Sequence, residues 1–531
     1  MTTPLRVVLL KPSKYDDQGN VARFRFGFMP NATLSHIGGM TPNEVGGHPV
    51  ELHMIDEYVE PSLEYLNLLH SDPRCETLVA FVGVMSSQYH RALDLAAYAM
   101  KHGVRHIVLG GSHAMTCDTK EQQKRGVSFA LAEAEVVWEE ILRDTVSGQL
   151  SPVYGMDERW ASELPPVVIK PQDKAQLSRY AMGMQGIYPA RGCPYRCTFC
   201  SIIKIAGNKI RYQPLEATLH SLRVAKSAGA GLIMFTSDNF NKYTLAEQLL
   251  EALVEEQLKL PFLVQCDAMV ARDERFVEML GKAGCVQIFI GVESFKRDTL
   301  KAAHKGHNDP NQYVEIVRLC DHYGIASHFS NIIAFEQDEA QDVRNHLEKL
   351  LAINPDFASF YIMVPIPGTE QYDDFRKRNL ITENNIDRIS SDSLTWQHPS
   401  IRKNEAHDLL FDCYRSFYSA KRLPRNLARF LRKMKHQPMS VKHMYPATWI
   451  SARLSIARRV HPMSGGIIAR RFDRSSDYAD LRREYFGVDL VPLPTSLPTP
   501  DQQDFSMHGH TLSDAATRHR PQAFVKNAAS S

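Results

Sequence analysis

Residues 191–200 read Arg191-Gly192-Cys193-Pro194-Tyr195-Arg196-Cys197-Thr198-Phe199-Cys200, with three cysteines at the spacing C-x-x-x-C-x-x-C. They fall on a tight loop just after an apolar run, so three thiolates come together at one metal centre. No fourth cysteine lies close by. Iron in a cubic iron–sulfur cluster normally takes four cysteine thiolates, so a three-cysteine set leaves one iron with an open coordination position. An open position points to chemistry rather than plain electron storage. The competing readings are a structural zinc site, which usually takes four ligands at two paired spacings, and three incidental thiols.

Around this stretch the composition is ordinary. A chain of 531 residues is too long for one core and suggests about two or three domains. Its 44% hydrophobic and 23% charged content is usual for soluble globular proteins. Nine cysteines, three of them clustered and the rest without a disulfide framework, point to a reducing compartment. The start, Met1-Thr2-Thr3-Pro4-Leu5-Arg6, lacks the plan of a signal peptide. No apolar run approaches the ~20 residues that span a bilayer, so the expected location is cytoplasmic. The net charge of +2 hides an asymmetry: no acidic residue occurs between Asp412 and Asp473, while Arg422, Arg425, Arg429, Arg432, Lys433, Lys435, Arg453, Arg458, Arg459, Arg470 and Arg471 accumulate there.

Upstream of the cysteines the chain alternates strand and helix. Val7–Leu10, Val50–Ile55 and Leu78–Val84 are short apolar runs of the buried parallel-strand kind. Leu93, Ala96, Ala97 and Met100 follow helical spacing up to Gly103. His106-Ile107-Val108-Leu109 then runs into Gly110-Gly111-Ser112-His113. Strand, helix, strand and glycine turn over residues 1–150 make a Rossmann-like, doubly wound unit, with ligand contacts expected beyond the carboxyl ends of its strands. By itself the Gly-Gly turn serves equally well to let the chain bend. Residues 151–181, interrupted by Pro152, Pro165, Pro166 and Pro171, read as a connector.

Residues 182–400 repeat strand-then-helix units. The predicted strands are 186–190, 232–236, 262–266, 286–290, 328–333 and 359–364, and six such units make an incomplete parallel (β/α)6 TIM-type barrel with its site at the strands' carboxyl ends. The cysteine loop follows the first strand. Polar residues just after strands are site candidates: Asp238 after the second, against its alternative as a helix N-cap, and Glu293 after the fourth, since a carboxylate ending an apolar strand is costly to bury without donors. Gln265 divides evenly between site and core filler; Asn331 and Glu336 are weaker candidates. Lys301, His304, Lys305 and His307 read as a solvated basic turn, with an anionic substrate as the alternative. Residues 401–490 form a basic helical region. In it 447–460 sets Trp449, Ile450, Leu454, Ile456 and Ala457 against Arg453, Arg458 and Arg459. Such a helix either packs on its own domain or lies on an anionic membrane or other phosphate-rich partner. Nothing resembles a dedicated nucleic-acid module. The proline-rich start at Val491 and the polar run to Ser531 predict a disordered tail over 491–531.

The three-cysteine spacing, with Phe199 directly before the last cysteine, resembles the signature of the radical S-adenosylmethionine (SAM) superfamily, whose core is also a six-unit partial barrel. The resemblance implies that Cys193, Cys197 and Cys200 hold a [4Fe-4S] cluster, with Phe199 beside it, whose free iron chelates SAM; reductive cleavage then yields a 5′-deoxyadenosyl radical for C–H activation. Asp238 and Glu293, the latter in Gly291-Val292-Glu293-Ser294, correspond to elements that hold SAM. The upstream unit resembles the cobalamin-binding domain of one branch, with Gly110, Gly111 and His113 in its Gly-Gly-x-His turn and Glu133 and Glu135 in its acidic element. That branch implies cobalamin-dependent methyl transfer. The alternatives are radical SAM oxidation, cyclisation or rearrangement without cobalamin, or a non-enzymatic iron–sulfur sensor. Three departures stand out: Ala132 and Ala134 replace glycines of the acidic element, no D-x-H-x-x-G motif occurs, and the fifth strand runs into Ala334-Phe335 where the family has a glycine turn. Pro367-Gly368-Thr369 resembles the branch's loop-fixing turn. Implied partners are a small-molecule or lipid-like substrate, a one-electron donor such as flavodoxin or ferredoxin, and a peripheral membrane contact through the basic helices.

Overall fold

The computed structural model describes residues 3–28, 30–462 and 469–498. Its first sheet begins with β1 (Leu5–Lys11), in which every residue but Arg6 is buried, as expected of a strand covered on both faces. β2 (Glu44–Val45) turns antiparallel into β3 (His48–Asp56), and β4 (Glu76–Phe81), β5 (His106–Gly110), β6 (Ser128–Ala130) and β7 (Val153–Tyr154) complete seven strands in the order β2-β3-β1-β4-β5-β6-β7. Apart from the β2–β3 hairpin the pairings are parallel. Helices α1 (Ala32–Met40), α2 (Ser86–Lys101), α3 (Ser112–Thr116) and α4 (Ala134–Ser147) supply the crossovers and turns. The strand order reverses at β1, so the Rossmann-like switch point lies at the carboxyl ends of β1 and its neighbours. β7 belongs to the stretch read as a connector; Pro152 just before it, which lacks an N–H, suits it to an edge.

The second sheet has six parallel strands in sequential order: β8 (Met184–Ile187), β9 (Leu232–Phe235), β10 (Phe262–Cys266), β11 (Cys285–Glu293), β12 (Ala326–Ile333) and β13 (Phe357–Ile362). This is the partial barrel that the sequence predicts. The first strand is displaced: it ends at Ile187, and Ala190–Arg191 pairs antiparallel with Arg211–Tyr212 instead. Pro189 cannot donate to a ladder, so the strand stops before it.

The C-terminal helices that follow include α5 (Lys403–Phe417), α6 (Leu423–Lys433) and α7 (Met444–Ala457), with the short turn Met439–Lys442 between the last two. Phe430 and Met434, with Val441 and Tyr445, pack against Met184, Leu232, Leu263, Val286, Ala326 and Phe357 in one apolar cluster. Those partners are the first or second residues of β8–β13, so the helices close the amino end of the barrel. Part of the acid-free segment's charge is answered there: Lys433 Nζ lies 2.7 Å from Asp321 and also contacts Asp356, and Arg429 is 3.1 Å from Asp356. In α7 the predicted apolar side is buried only in part, at Ile456 and at half-buried Trp449. Tyr445, Ala452, Ser455 and Ile456 face inward, with Tyr445 in the cluster at the barrel floor, while Ile450 and Leu454 are exposed.

The predicted disordered tail needs a correction at its start. Residues 491–498 are extended and bonded: Asp118 N donates to Thr495 O and Leu497 N to Thr116 O, both at 2.8 Å, and Tyr372 OH donates to Pro494 O at 2.9 Å. Prolines hold the segment extended, and neighbouring donors satisfy its carbonyls. Residues 499–531 lie outside the described residues.

Candidate active site

The cysteine loop leaves the carboxyl end of β8 and is tied down along its length. Gly192 N donates to Asp238 Oδ2 at 2.7 Å, Cys193 N to Gly207 O at 3.3 Å, and Cys200 N to Cys197 O at 3.1 Å. Cys193, Cys197 and Cys200 are free thiols of intermediate exposure. Burial pushes Cys197 up to about 11 and Cys200 up to about 12, and raises Cys193 as well. The three act on one another, since the charge of Cys193 raises both Cys197 and Cys200. Among the described residues no group of three His, Cys, Asp or Glu side chains is already arranged to hold a metal ion. In an iron–sulfur cluster the cysteine thiolates are spread over several irons, so three mutually interacting thiols on one loop fit a cluster as a donor set.

Glu293 ends β11 in the left-handed region at φ 60°, and its carboxylate accepts from Lys305 Nζ at 2.8 Å. A non-glycine residue held there costs on the order of 1–3 kcal/mol and marks an over-determined position. Of the basic turn, Lys301 and His304 are exposed as expected, but Lys305 is not solvated and keeps only 12% of its side chain exposed. Against the burial that would lower it, Glu293 and the thiols hold its pKa up. Ala303 O accepts from Thr198 N at 3.2 Å, and the His307 ring stacks on Tyr195 at 3.5 Å. Phe199 meets Phe335 edge to face, 5.9 Å between centroids. Asp238 is not a simple helix cap, because its Oδ2 accepts from the backbone of the cysteine loop; burial raises its pKa and the Gly192 N–H opposes that. Behind it Asn239 and Asn241 donate to Asp267 at 2.7 and 2.9 Å.

At the first sheet, Gly111 sits at φ 134°, and a Cβ on it would lie 2.1 Å from Val84 N. No other residue fits that approach. Gly110 ends β5. His113 stacks on Tyr89 at 3.8 Å with Nδ1 3.0 Å from Ser86 Oγ, and burial pushes its pKa down to about 3. His113 Nε2 and Tyr89 OH are both buried without a partner. Two orphaned polar atoms beyond the carboxyl end of β5 fit a polar ligand there, as cobalamin requires.

The acidic element acts differently from its resemblance. Glu133 accepts from Arg211 Nη2 at 2.8 Å. Glu135 accepts from Arg191 at 2.8 Å and lies 2.7 Å from His36 Nε2. Arg191 and His36 hold the Glu135 carboxyl well below its usual range despite burial. Glu133 also lies 3.4 Å from Arg191, so both carboxylates, at the start of α4, join the first sheet's domain to the residue two positions before Cys193. The paired Glu-x-Glu and Arg-Gly-Cys were visible in the sequence; their pairing was not.

Other candidates fall elsewhere. Asn331 donates to Phe329 O and Ser359 O inside the barrel, and Glu336 pairs with Arg378. Gln265 is partly buried within β10, with no role apparent. At the fifth strand Ala334 adopts φ 59°, so the glycine-type turn persists with alanine in it. Gly368 packs against Thr116 of α3, and the Pro-Gly-Thr turn holds the barrel mouth to the first sheet.

Residues 187–350 match the family model of the radical SAM superfamily. Over 400 residues the chain is 26% identical to bacteriochlorophyllide d C-8(2)-methyltransferase of Chlorobaculum tepidum, spanning 71% of this chain and 82% of that protein. It is 28% identical over 224 residues to hopanoid C-2 methylase of Rhodopseudomonas palustris, spanning 40% of this chain and 42% of that one. Among solved structures, the radical SAM methyltransferase TsrM from Kitasatospora setae with cobalamin and a [4Fe-4S] cluster bound has a TM-score of 0.61 at 14% identity, covering 86% of this chain and 99% of that chain; at that identity the likeness concerns the fold. With a Rossmann-like sheet ahead of a six-stranded partial barrel and three cysteines on the loop after its first strand, the chain carries a radical SAM domain over residues 187–350, and its fold is similar to that of a cobalamin-binding member of that superfamily.

Proposed function

We propose that this enzyme cleaves SAM reductively at a [4Fe-4S] cluster held by Cys193, Cys197 and Cys200, and that with cobalamin at the Gly110–Gly111 end of the first sheet it transfers a methyl group to an unactivated carbon. The observation that carries this is the junction of the two regions: Arg191, two residues before Cys193, is ion-paired with Glu135 of the first sheet. When bound, the cluster supplies an electron to SAM and cobalamin supplies a methyl carrier. Asp238 holds the cysteine loop through Oδ2, and its other oxygen is offered to the SAM ammonium. Glu293 is the acceptor for SAM's hydroxyls or its methionine end. Phe199 and Phe335 shield the loop from water. His113 and Tyr89 present their unpaired polar atoms to the cobalamin side. Residues 1–150 are assigned to cobalamin, 182–400 to the radical SAM barrel, and 401–490 to closing its floor.

The substrate class follows from the relatives, which act on a bacteriochlorophyllide and a hopanoid by name: an apolar polycyclic small molecule. A flavodoxin- or ferredoxin-type donor supplies electrons, and the setting is cytoplasmic. A peripheral contact with anionic lipid is supported by Ile450 and Leu454, exposed on α7 beside Arg453 and Arg458; co-sedimentation with anionic vesicles, lost in Ile450→Asp/Leu454→Asp, tests it.

Anaerobic reconstitution with iron and sulfide, then dithionite and SAM with or without cobalamin, tests the main reading. The expected products are 5′-deoxyadenosine and, with cobalamin, S-adenosylhomocysteine, both absent in Cys193→Ala. A fully loaded wild-type protein that forms neither product sinks it.

A further inference from the structure

The loop Ala303–Asn308 has no role in the proposed reaction, yet it touches the cysteine loop at successive points. Ala303 O accepts from Thr198 N, Cys197 Sγ lies 3.9 Å from His304 O, and His307 stacks on Tyr195. At its far end Asn308 Nδ2 donates to Gly291 O at 2.9 Å and Val292 O at 3.2 Å. The loop is thus clamped between β11 and the cysteines, with His304 in the left-handed region at φ 53°.

What this clamp delivers is one ammonium group. Lys305 Nζ lies 2.8 Å from Glu293 and 5.9 Å from the ring centroid of Phe199, the residue before Cys200, and the residue before Lys305 has its carbonyl 3.9 Å from Cys197 Sγ. The space it enters exists because residue 291 is glycine: a Cβ there would stand 3.0 Å from Nζ and 2.5 Å from Glu293 Oε1. A buried lysine is retained only where anions balance it. Glu293 supplies one negative charge and three thiolates bring more, so the loop carries a surplus of negative charge when the cluster is in place.

We propose that Lys305 is a positioning residue that serves as a fixed countercharge for the cysteine-held cluster, raising its reduction potential, with Glu293 as the opposing charge that limits the effect. The proposal rests on the reading that the three cysteines hold a cluster. Net charge and local hydrogen bonding are among the levers that set the potential of such clusters, and a cation in a dry site acts far more strongly than one in water.

The test is a dithionite-mediated redox titration followed by electron paramagnetic resonance, on reconstituted full-length protein without SAM. Lys305→Met, which keeps length and loses charge, should shift the midpoint potential to more negative values; Lys305→Arg should restore most of the shift, and Glu293→Gln should move it the other way. Iron and sulfide content are measured alongside. Loss of the cluster in Lys305→Met but not in Lys305→Arg also supports the countercharge. A fully loaded Lys305→Met protein with the wild-type potential overturns the proposal, as does equal cluster loss in the Met and Arg variants, which would make the side chain a matter of loop packing. If wild-type protein takes up no cluster, the underlying reading fails instead.

Discussion

The two ends of the barrel each bury a lysine against carboxylates, and the two arrangements differ in what is left over. At the amino end Lys433 meets Asp356 and Asp321, Arg429 adds a second cation to Asp356, and Ser327 donates to the same carboxylate from both N and Oγ. Around them lies the apolar plug of Phe430, Met434, Val441 and Tyr445. The charges are matched, two cations against two carboxylates, with Arg429 Nε alone left buried without a hydrogen-bond partner, and no residue within this group is in a left-handed backbone conformation. At the carboxyl end Lys305 has one carboxylate and three thiols, and Glu293, His304 and Ala334 around it have φ of 60°, 53° and 59°. Strained backbone and unmatched charge collect where a ligand is to be held, because only a ligand completes them. The matched end holds the fold together.

Substitutions can break that contrast. The largest effect belongs to the cysteines: Cys200→Ala should abolish the cluster's visible absorbance and all SAM cleavage, with little change in the thermal unfolding midpoint of the apoprotein, since the residue is only partly buried there. Lys433→Met should act the opposite way. It leaves Asp356 buried with less compensation and should cost roughly 3–5 kcal/mol in denaturant unfolding, while SAM cleavage per folded molecule stays close to wild type. Should Lys433→Met instead lose cleavage without losing stability, the division between the two ends is wrong. Glu135→Gln removes the charge facing Arg191 and should cost about 1.5–3 kcal/mol, read locally as faster hydrogen exchange over residues 190–200.

Smaller effects sharpen the comparison. The Asp356 carboxyl is fully buried; Lys433 and Arg429 hold its pKa below the ordinary value despite that burial. A depressed carboxylate pKa contributes stability that is present above the unfolded value of about 3.9 and is lost as pH falls through the folded value. Acid unfolding of the wild type should therefore steepen below about pH 4, and Lys433→Met should lose less stability over that range, because its Asp356 starts closer to the protonated form. Smallest of all, Ala334→Gly relieves the left-handed strain but frees the unfolded chain, and should stabilise by about 0.5–1 kcal/mol in the same denaturant measurement.

Much of this was legible in the chain. Strand and helix alternation located all six barrel strands, since buried parallel strands are apolar runs that need no partner to be recognised. The first was misplaced only because Pro189 lies inside the run. Cys193, Cys197 and Cys200 were readable because their spacing is local. Lys305 was misread as solvated, since its burial depends on Glu293 and Gly291, more than ten residues earlier and across a strand end. Glu133 and Glu135 were read as a cofactor element because nothing in their neighbourhood names Arg211 and Arg191 as partners. The basic C-terminal segment looked like a surface for an outside partner, and part of it instead closes the barrel floor on Asp321 and Asp356.

The sequence by itself determined the order of the elements, the three-thiol loop and the places where strands end in polar residues, all of which depend on spacings of a few residues. The tertiary structure alone decided which charges meet. Electrostatic energy falls with distance in space and grows with burial, and neither quantity can be read from separation along the chain. That is why Lys305 and Lys433, alike as letters in the sequence, became the countercharge of a candidate active site and a rivet in the barrel floor.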